Sequence, residues 1–492
     1  MMLRTLLLMA LSLTAAFVGI GQNPDGLDRF SGEQINRDLD SLYQWIQDIH
    51  PSPYVHCSSL ELEASLQQAK LTFSGGGTLF AAAQMVAKTS NTIKDSHTGI
   101  ALQSFSTQLG ERYGHLPLEI KTVQNRLIVT AIADHPAAIG QEVLRVNNTP
   151  ARSILGSALA LVSQEGDAEL ARLRMAEKLW NDIAPFAVGA SIADTLAVEL
   201  SSGEIVRLPV IDNTEVRTWH MERNQGESIE WEEIHHMDSL ISLNLRIGHF
   251  HPDNVRFFRQ SLKSAFKHAK KLESREGDRF RGVIIDLRGN SGGNIAIMAE
   301  LLPYLIQQPT ALPAGVQIKG SIQARERWGT NRFGLVPPKS YLKNLRALNA
   351  SLASTAVDSI AYVPFNLSIR PSKRLNYQGP ASLLLDGLSA SATVSIASWF
   401  IRSGRGKTFG EPPMGSVSGT FGNPVRVILP ETGLAVNVAS ARYFTQQPVR
   451  WESSPLLVDF PISKTAADFQ SGTDPVLEAA LNWQAAHTKQ RP

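Results

Sequence analysis

The sequence predicts a multidomain α+β protein with a helical N-terminal domain, a compact β-rich module and an α/β core. Three observations carry this. The chain has 492 residues, more than one compact core holds. Apolar residues recur at helical spacing through residues 32–93, and short β-type runs take over from Leu116. Beyond residue 237, apolar strands alternate with helical stretches, the pattern of an α/β sheet. The expected divisions are 1–21, a signal peptide; 28–112, the helical domain; 115–212, the β-rich module; 213–236, a linker; 237–470, the core; and 471–492, a C-terminal helix and tail.

The N-terminus has one early basic residue, Arg4, an apolar run from Thr5 to Ile20, and then small residues. That is the layout of a secretory signal peptide, with cleavage after Gly21 leaving Gln22 first. The run is shorter than the ~20 apolar residues that a membrane span needs. No Cys follows it to carry a lipid anchor, and no later stretch is apolar and long enough to span. A periplasmic or secreted location is therefore expected, with no stable membrane insertion after cleavage.

Ile35, Leu39, Leu42, Ile46 and Ile49 trace one helical face, stopped by His50-Pro51. Leu60 to Lys70 and Leu79 to Ile93 continue the helical texture. LPLEI, RLIVTAI and EVLRVNN follow as short strands, then a helical stretch to about Leu179, then TLAVEL and EIVRLPVI. Thr214 to Glu233 is polar and reads as a linker or surface excursion. SLISLNLRI is a strand, Val255 to Lys271 an amphipathic helix, RGVIID a buried strand, Ile295 to Ile306 a helix, and ASLLLD a second buried strand. Residues 307–380 have no clean period and are expected partly as a long excursion over the functional face.

Apolar residues make up 43% and charged residues 19%, ordinary for a soluble globular protein. A net charge of +2 is too mild to imply nucleic acid or an anionic membrane as partner. The single cysteine, Cys57, can form no intrachain disulfide and reads as a half-buried thiol.

Two segments share one plan of strand, small-residue turn and helix: GVIIDLRGNSGGNIAIMAELL and ASLLLDGLSASATVSIASWF. Ligands gather at the carboxyl ends of strands in such sheets, so both turns belong on one functional edge. Ser389 and Ser391 stand at a helix start, where unpaired N–H groups and the helix dipole suit a nucleophile that generates an oxyanion. Plain helix capping is the alternative. Gly289, Gly292 and Gly293 let the backbone approach a substrate carbonyl; phosphate binding or a tight turn is the alternative. The spacing matches neither the P-loop nor GxGxxG.

A serine needs a base. His97, in KDSHTGI, is the most suggestive, with Asp95, Ser96 and Thr98 placed to orient it. His50, His56, His235, His236, His249 and His251 compete. The last four suggest metal only weakly, because no ligand spacing such as HExxH accompanies them.

DLRGNSGG (Asp286 to Gly293) followed about one hundred residues later by DGLSASA (Asp386 to Ala392) resembles the tail-specific, or carboxyl-terminal processing, serine protease family. The HPSPY segment, DSHTGI, the strands of 116–212 and DPVLEAAL near the end extend the resemblance over most of the mature chain. It implies a PDZ-like module at 115–212, a crotonase-like catalytic core and a polypeptide substrate. One branch of the family uses a Ser-Lys dyad, but GEPPMGSV puts Ser416 where that lysine belongs, and Lys407 lies upstream of the turn. The other branch, similar to the tricorn core protease domain, uses Ser, His, a second Ser beside the His, and Glu. Residue by residue this implies Ser391 as nucleophile, His97 as base, Ser96 beside it and Glu452 (in WESSPLLVDF) as the acid. Pro455 and Val458 replace the usual Gly and Pro of that last segment. The implied oxyanion donors are Ala392 and the Gly292-Gly293 pair. Such a mechanism needs no metal and no cofactor. Two other readings stay open: a catalytically silent binding protein on the same fold, and a periplasmic adaptor holding peptide C-termini, for which a Gly-Leu-Gly-Phe loop is missing.

Overall fold

A computed structural model describes residues 28–223, 228–237, 239–330, 339–364, 369–445 and 454–487. Residues 1–21, expected as a signal peptide, lie outside these residues.

After the short strand Arg29–Phe30, which pairs with Gly77–Thr78, the N-terminal part is built on three helices, Gly32–Ile49, Ser59–Thr72 and Leu79–Ser90. The first starts at a capping box, in which the Ser31 side chain accepts from the Gln34 N–H and the Gln34 side chain from the Ser31 N–H. It buries Ile35, Leu39, Leu42, Ile46 and Ile49, the face read from sequence, and ends before Pro51, which offers no N–H to continue it. The β-rich module follows, with a hairpin (Leu118–Val123, Arg126–Ile132) and a four-stranded sheet in which strand Val143–Val146 lies between Thr149–Pro150 and Thr195–Leu200. Helices Ala151–Leu159 and Glu169–Ala187 are inserted between the strands.

The core sheet has six strands in the spatial order Ile229–His236, Leu240–Ile247, Phe280–Asp286, Ala381–Leu385, Lys407–Gly410 and Phe460–Pro461. The first pair is antiparallel and the rest are parallel. Parallel strands are buried on both faces, which explains the unbroken apolar runs. Val283, Ile285, Leu383 and Leu385 share one cluster with Phe258, Leu262 and Phe266 of helix Val255–Arg275. Ile284, Leu384 and Phe409 point the other way, onto Val476, Ala480 and Leu481 of helix Pro475–Ala486.

The structure redraws several expectations. The polar stretch taken for a linker holds helix Asn213–Arg223 and the edge strand Ile229–His236 of the core sheet. Polarity misled there because an edge strand and a surface helix bury few side chains. The C-terminal helix is part of the core, covering one face of its sheet. The stretch 295–306 is three short helical pieces, the last opening at Leu302-Pro303. Within 307–380, strands Gly315–Lys319 and Ile360–Pro364 join Ala441–Phe444 and Gly419–Gly422 in a four-stranded antiparallel sheet.

One small sheet joins the two halves of the molecule. Strand Gly99–Ile100 of the N-terminal half pairs antiparallel with Ala435–Val438, itself paired with Val425–Ile428. At the tip of that hairpin, the N–H groups of Glu431 and Thr432 donate to the two oxygens of Asp38, at 2.8 and 2.9 Å. The first helix is thereby fixed to a loop nearly four hundred residues downstream.

Candidate active site

Strand Ala381–Leu385 runs into a turn and then helix Ala392–Arg402, with Ser391 at the junction. Ser391 has φ 56° and ψ −120°, and its side chain makes no cap bond to the helix. A non-glycine residue in that region is strained, and such strain gathers at functional turns between strand and helix. Among the described residues the hydroxyl has no hydrogen-bond partner, so capping does not account for it. Ser389 is the opposite case. It is fully buried, donates to the Leu287 carbonyl at 2.9 Å and accepts from the Asp386 N–H at 3.1 Å.

The glycine turn after strand Phe280–Asp286 lies against this junction. Asp386 accepts from the Gly289 N–H at 2.9 Å, and the Asn290 carbonyl accepts from the Ala390 N–H at 3.0 Å. Buried Asn290 accepts at one oxygen from both the Gly292 N–H and the Thr393 hydroxyl, each at 2.9 Å. A side chain at Gly292 would stand 2.6 Å from the Ser391 Cβ and 2.9 Å from the Ala392 nitrogen. The three oxyanion candidates thus separate. The Gly292 N–H is spent on Asn290, while among the described residues those of Gly293 and Ala392 have no protein acceptor.

His97 arrives from the N-terminal half, two residues before the strand that pairs with Ala435–Val438. Its N–H donates to Asp95 Oδ1 at 2.8 Å. Asp95 Oδ2 accepts from the Thr98 hydroxyl at 2.5 Å and from His50 Nε2 at 3.1 Å. The Ser52 N–H donates to His50 Nδ1, which leaves His50 Nε2–H as the donor to Asp95. Burial pushes the Asp95 carboxyl upward, but the bonds and charges of His50 and His97 outweigh it and hold it below the usual range.

Ser96 Oγ stands 3.3 Å from His97 Nδ1 and 2.8 Å from Glu165 Oε2, which also accepts from the Ser96 N–H at 3.1 Å. The directions follow. The hydroxyl proton goes to the carboxylate, so Ser96 Oγ accepts from His97 Nδ1–H and Nε2 keeps its lone pair. Burial lowers the His97 pKa, but the Asp95 hydrogen bond and the charges of Asp95 and Glu165 outweigh it, and the net shift is upward.

Asp95, His97 and Glu165 place one ligand atom each within 4.8 Å of one another, a grouping that could also hold a cation. The hydrogen bonds favour a relay, because both Asp95 oxygens already accept from protein donors. The other histidines serve local roles: His236 bonds Ser242, His235 pairs with Glu233, and His249 accepts from the His251 N–H. Cys57 is half-buried, and burial pushes its thiol pKa up, away from nucleophilic use.

Met414 links the nucleophile turn to the histidine. Its N–H donates to the Ser389 carbonyl at 2.9 Å, and it lines a cavity of ≈ 60 Å³ with Ser96 and His97. Leu102 and Asn437 are shared between that cavity and an open cleft of ≈ 600 Å³. Lys407 is elsewhere. It pairs with Asp459 at 2.8 Å and sits opposite Ser382, whereas Leu385 at the active end pairs with Gly410. Three strand residues separate it from that end, about 10 Å. Ser416 is buried, donating to the Gly419 carbonyl. Glu452 lies outside the described residues. Glu165 escaped the sequence reading, since it belongs to no motif and stands 69 residues from Ser96.

Residues 245–457 match the model of peptidase family S41. This region is a peptidase S41 domain. The domain makes the chain a hydrolase of the serine-peptidase class, with polypeptides as the substrate class that the family implies. Its two glycine-and-serine turns both fall inside the matched span. Mature CPAF has the same fold, with a TM-score of 0.64 at 15% identity over 92% of this chain and 97% of that one. CPAF complexed with lactacystin gives 0.62 at 13% identity, over 92% and 98%. The photosystem II D1 C-terminal processing protease is more distant, with a TM-score of 0.43 at 13% identity over 92% and 97%. No curated protein sequence matches the chain significantly. Among the described residues no helix is long and apolar enough to cross a membrane.

Proposed function

We propose that this chain is an exported serine peptidase whose S41 domain cleaves peptide bonds through an acyl-enzyme on Ser391. The observation that carries this is the strained, uncommitted Ser391 at a helix start, beside two open N–H donors. In this mechanism His97 Nε2 takes the hydroxyl proton as Ser391 Oγ attacks the scissile carbonyl carbon. The carbonyl oxygen gains the charge and is met by the N–H groups of Gly293 and Ala392. Collapse breaks the C–N bond, and the imidazolium returns its proton to the leaving amine. Water, deprotonated by the same histidine, then releases the acyl group as a carboxylic acid. Ser96 keeps the imidazole in its Nδ1–H form throughout. Side chains and backbone supply every step, and no cofactor enters the scheme.

The module at 115–212 is proposed as PDZ-like and the six-stranded core as crotonase-like. The apolar N-terminal run supports export, with the mature chain starting at Gln22 and acting in the periplasm or outside the cell. The open cleft that shares Leu102 and Asn437 with the His97 cavity is the proposed route for an extended peptide. A single experiment addresses nucleophile and export together. The exported protein is treated with a fluorophosphonate and analysed by intact mass and peptide mapping. The expected result is one adduct on Ser391 of a chain beginning near Gln22, absent in Ser391→Ala and retained in Ser389→Ala. An adduct elsewhere rejects the nucleophile, and an intracellular chain starting at Met1 rejects export.

A further inference from the structure

Glu165 lies between helices Ala151–Leu159 and Glu169–Ala187, in a loop clipped onto the segment that carries Ser96 and His97. Four contacts hold the clip. Ser163 Oγ donates to the Thr98 carbonyl at 2.8 Å and the Gln164 N–H to Asn91 Oδ1 at 2.8 Å. The Gly166 N–H donates to the Lys94 carbonyl at 2.9 Å, and Lys94 pairs with Asp167 at 2.9 Å. Two loops are thus fixed side by side, and the Glu165 side chain, 1% exposed, points between them.

Its two oxygens are used unequally. Oε2 accepts from both the N–H and the hydroxyl of Ser96 and stands 4.0 Å from His97 Nδ1. Oε1 is buried and, among the described residues, has no hydrogen-bond partner. A carboxylate left half-satisfied in the interior is costly, and loop stability offers no return for that cost. An imidazole that must become positively charged does offer one. A negative charge one hydroxyl away stabilises that imidazolium and fixes the Nδ1–H form that leaves Nε2 free.

We infer that Glu165 is the carboxylate that orients and charges the Ser96–His97 pair, a positioning residue for the reaction proposed above. The inference rests on that reaction and adds a residue from the β-rich module to its machinery. It competes with Glu452, the acid that the family resemblance implies. The groups that face Glu165 are Asp95 and His97 on the neighbouring segment and Arg442 from strand Ala441–Phe444, with His56 under the same charges. Burial, and then the charge of Asp95, push the Glu165 carboxyl up to about 7, so it changes charge in the range where the enzyme would work.

The rate at which a fluorophosphonate phosphonylates Ser391 in the mature chain, forming the Oγ–P bond as fluoride leaves, is the test, followed from pH 5 to 9. It needs no knowledge of the natural substrate. Glu165→Gln is expected to lower the maximal phosphonylation rate about ten- to a hundredfold with little change in reagent affinity. It is also expected to move the acid limb to lower pH, because the imidazolium loses a stabilising charge. Glu165→Asp keeps the charge one methylene further away, so it should be slow with the acid limb in place, which guards against a folding defect in the amide variant. A purely structural residue would not move the limb. The inference is overturned if Glu165→Gln leaves the limb in place while Glu452→Gln shifts it. If the Ser391→Ala chain is still phosphonylated at the parent rate, the underlying reaction on Ser391 fails, whereas an unmoved acid limb in Glu165→Gln with Ser391 labelled overturns the Glu165 inference alone.

Discussion

Ser389 and Ser391 stand two residues apart in the same turn, yet only one hydroxyl is committed. Ser389 is consumed in joining the two turns, while Ser391 faces the site from a backbone that a serine adopts only under constraint. The same contrast separates the candidate bases. His97 is wired through Nδ1, and Lys407 is occupied by Asp459 at the far end of its strand. His97→Ala is therefore expected to cost a thousandfold or more in kcat/KM on a peptide substrate, and Lys407→Ala close to nothing. The pH profile follows from the sign of the shift. The base works when neutral, and the protonated imidazole is stabilised by Asp95 and Glu165. Activity should therefore rise through a midpoint above the ordinary histidine value of about 6.5. A midpoint well below it, or a dead Lys407→Ala beside an active His97→Ala, contradicts the assignment.

Among the elements of the core, the glycine turn and the nucleophile turn behave as one interlocked unit. Asn290 receives Gly292, Thr393 and Ala390, and its side-chain amide donates to the Ile247 carbonyl at 2.9 Å. Two glycines of this turn make a controlled comparison. Gly289 has φ +74° and open space where a Cβ would stand, whereas Gly292 has φ +99° and faces the Ser391 Cβ at 2.6 Å. Alanine is strained by its backbone at both positions, at about 1 kcal/mol. Only at Gly292 does it also displace the nucleophile. Gly289→Ala is expected to lose some stability and keep its activity, while Gly292→Ala loses acylation by two or more orders of magnitude. Equal activity in the two variants would show that the turns do not meet as described.

Across the whole molecule, the β-rich module and the N-terminal helices must be held in register with the core. A buried cluster of charges does part of this. Arg174 of helix Glu169–Ala187 donates to both oxygens of Glu411, at 2.9 and 2.7 Å, and to Glu177 at 2.8 Å. Lys121 of the module's hairpin adds a contact to Glu411 at 3.2 Å. The Glu411 pKa is raised by burial but lowered more by Arg174 and Lys121, ending at about 2. Its stabilising contribution is complete above the unfolded carboxyl's value of about 4.3 and is lost as pH falls toward 2. Among the described residues, removing Arg174 leaves the buried Glu177 carboxylate without its cation and Glu411 with Lys121 alone. Arg174→Met should cost about 3–5 kcal/mol, seen as a lower denaturation midpoint at pH 7 that converges on the parent's as the pH approaches 2. A midpoint unchanged at pH 7 would mean that the cluster holds nothing together.

The local chemistry was legible in the chain before any folding: two strand–turn–helix segments, a serine at a helix start, a histidine preceded by a serine, and no lysine at position 416. Each of these depends on residues adjacent in the chain, on backbone freedom at glycine and on apolar runs that must be buried. Most helices and strands were legible too, wherever an apolar face repeats. Weakly patterned elements were not, such as the polar edge strand Ile229–His236 and the strands within 307–380. Which residues meet was settled by the three-dimensional packing. It turned the Gly292 N–H onto Asn290, left those of Gly293 and Ala392 open, and placed Glu165 against Ser96. A hydrogen bond between residues 69 apart leaves no period or spacing in either segment. It exists because strand Gly99–Ile100 pairs with Ala435–Val438 and the loop at Ser163–Gly166 is clipped beside it, and both depend on the packing of the whole chain.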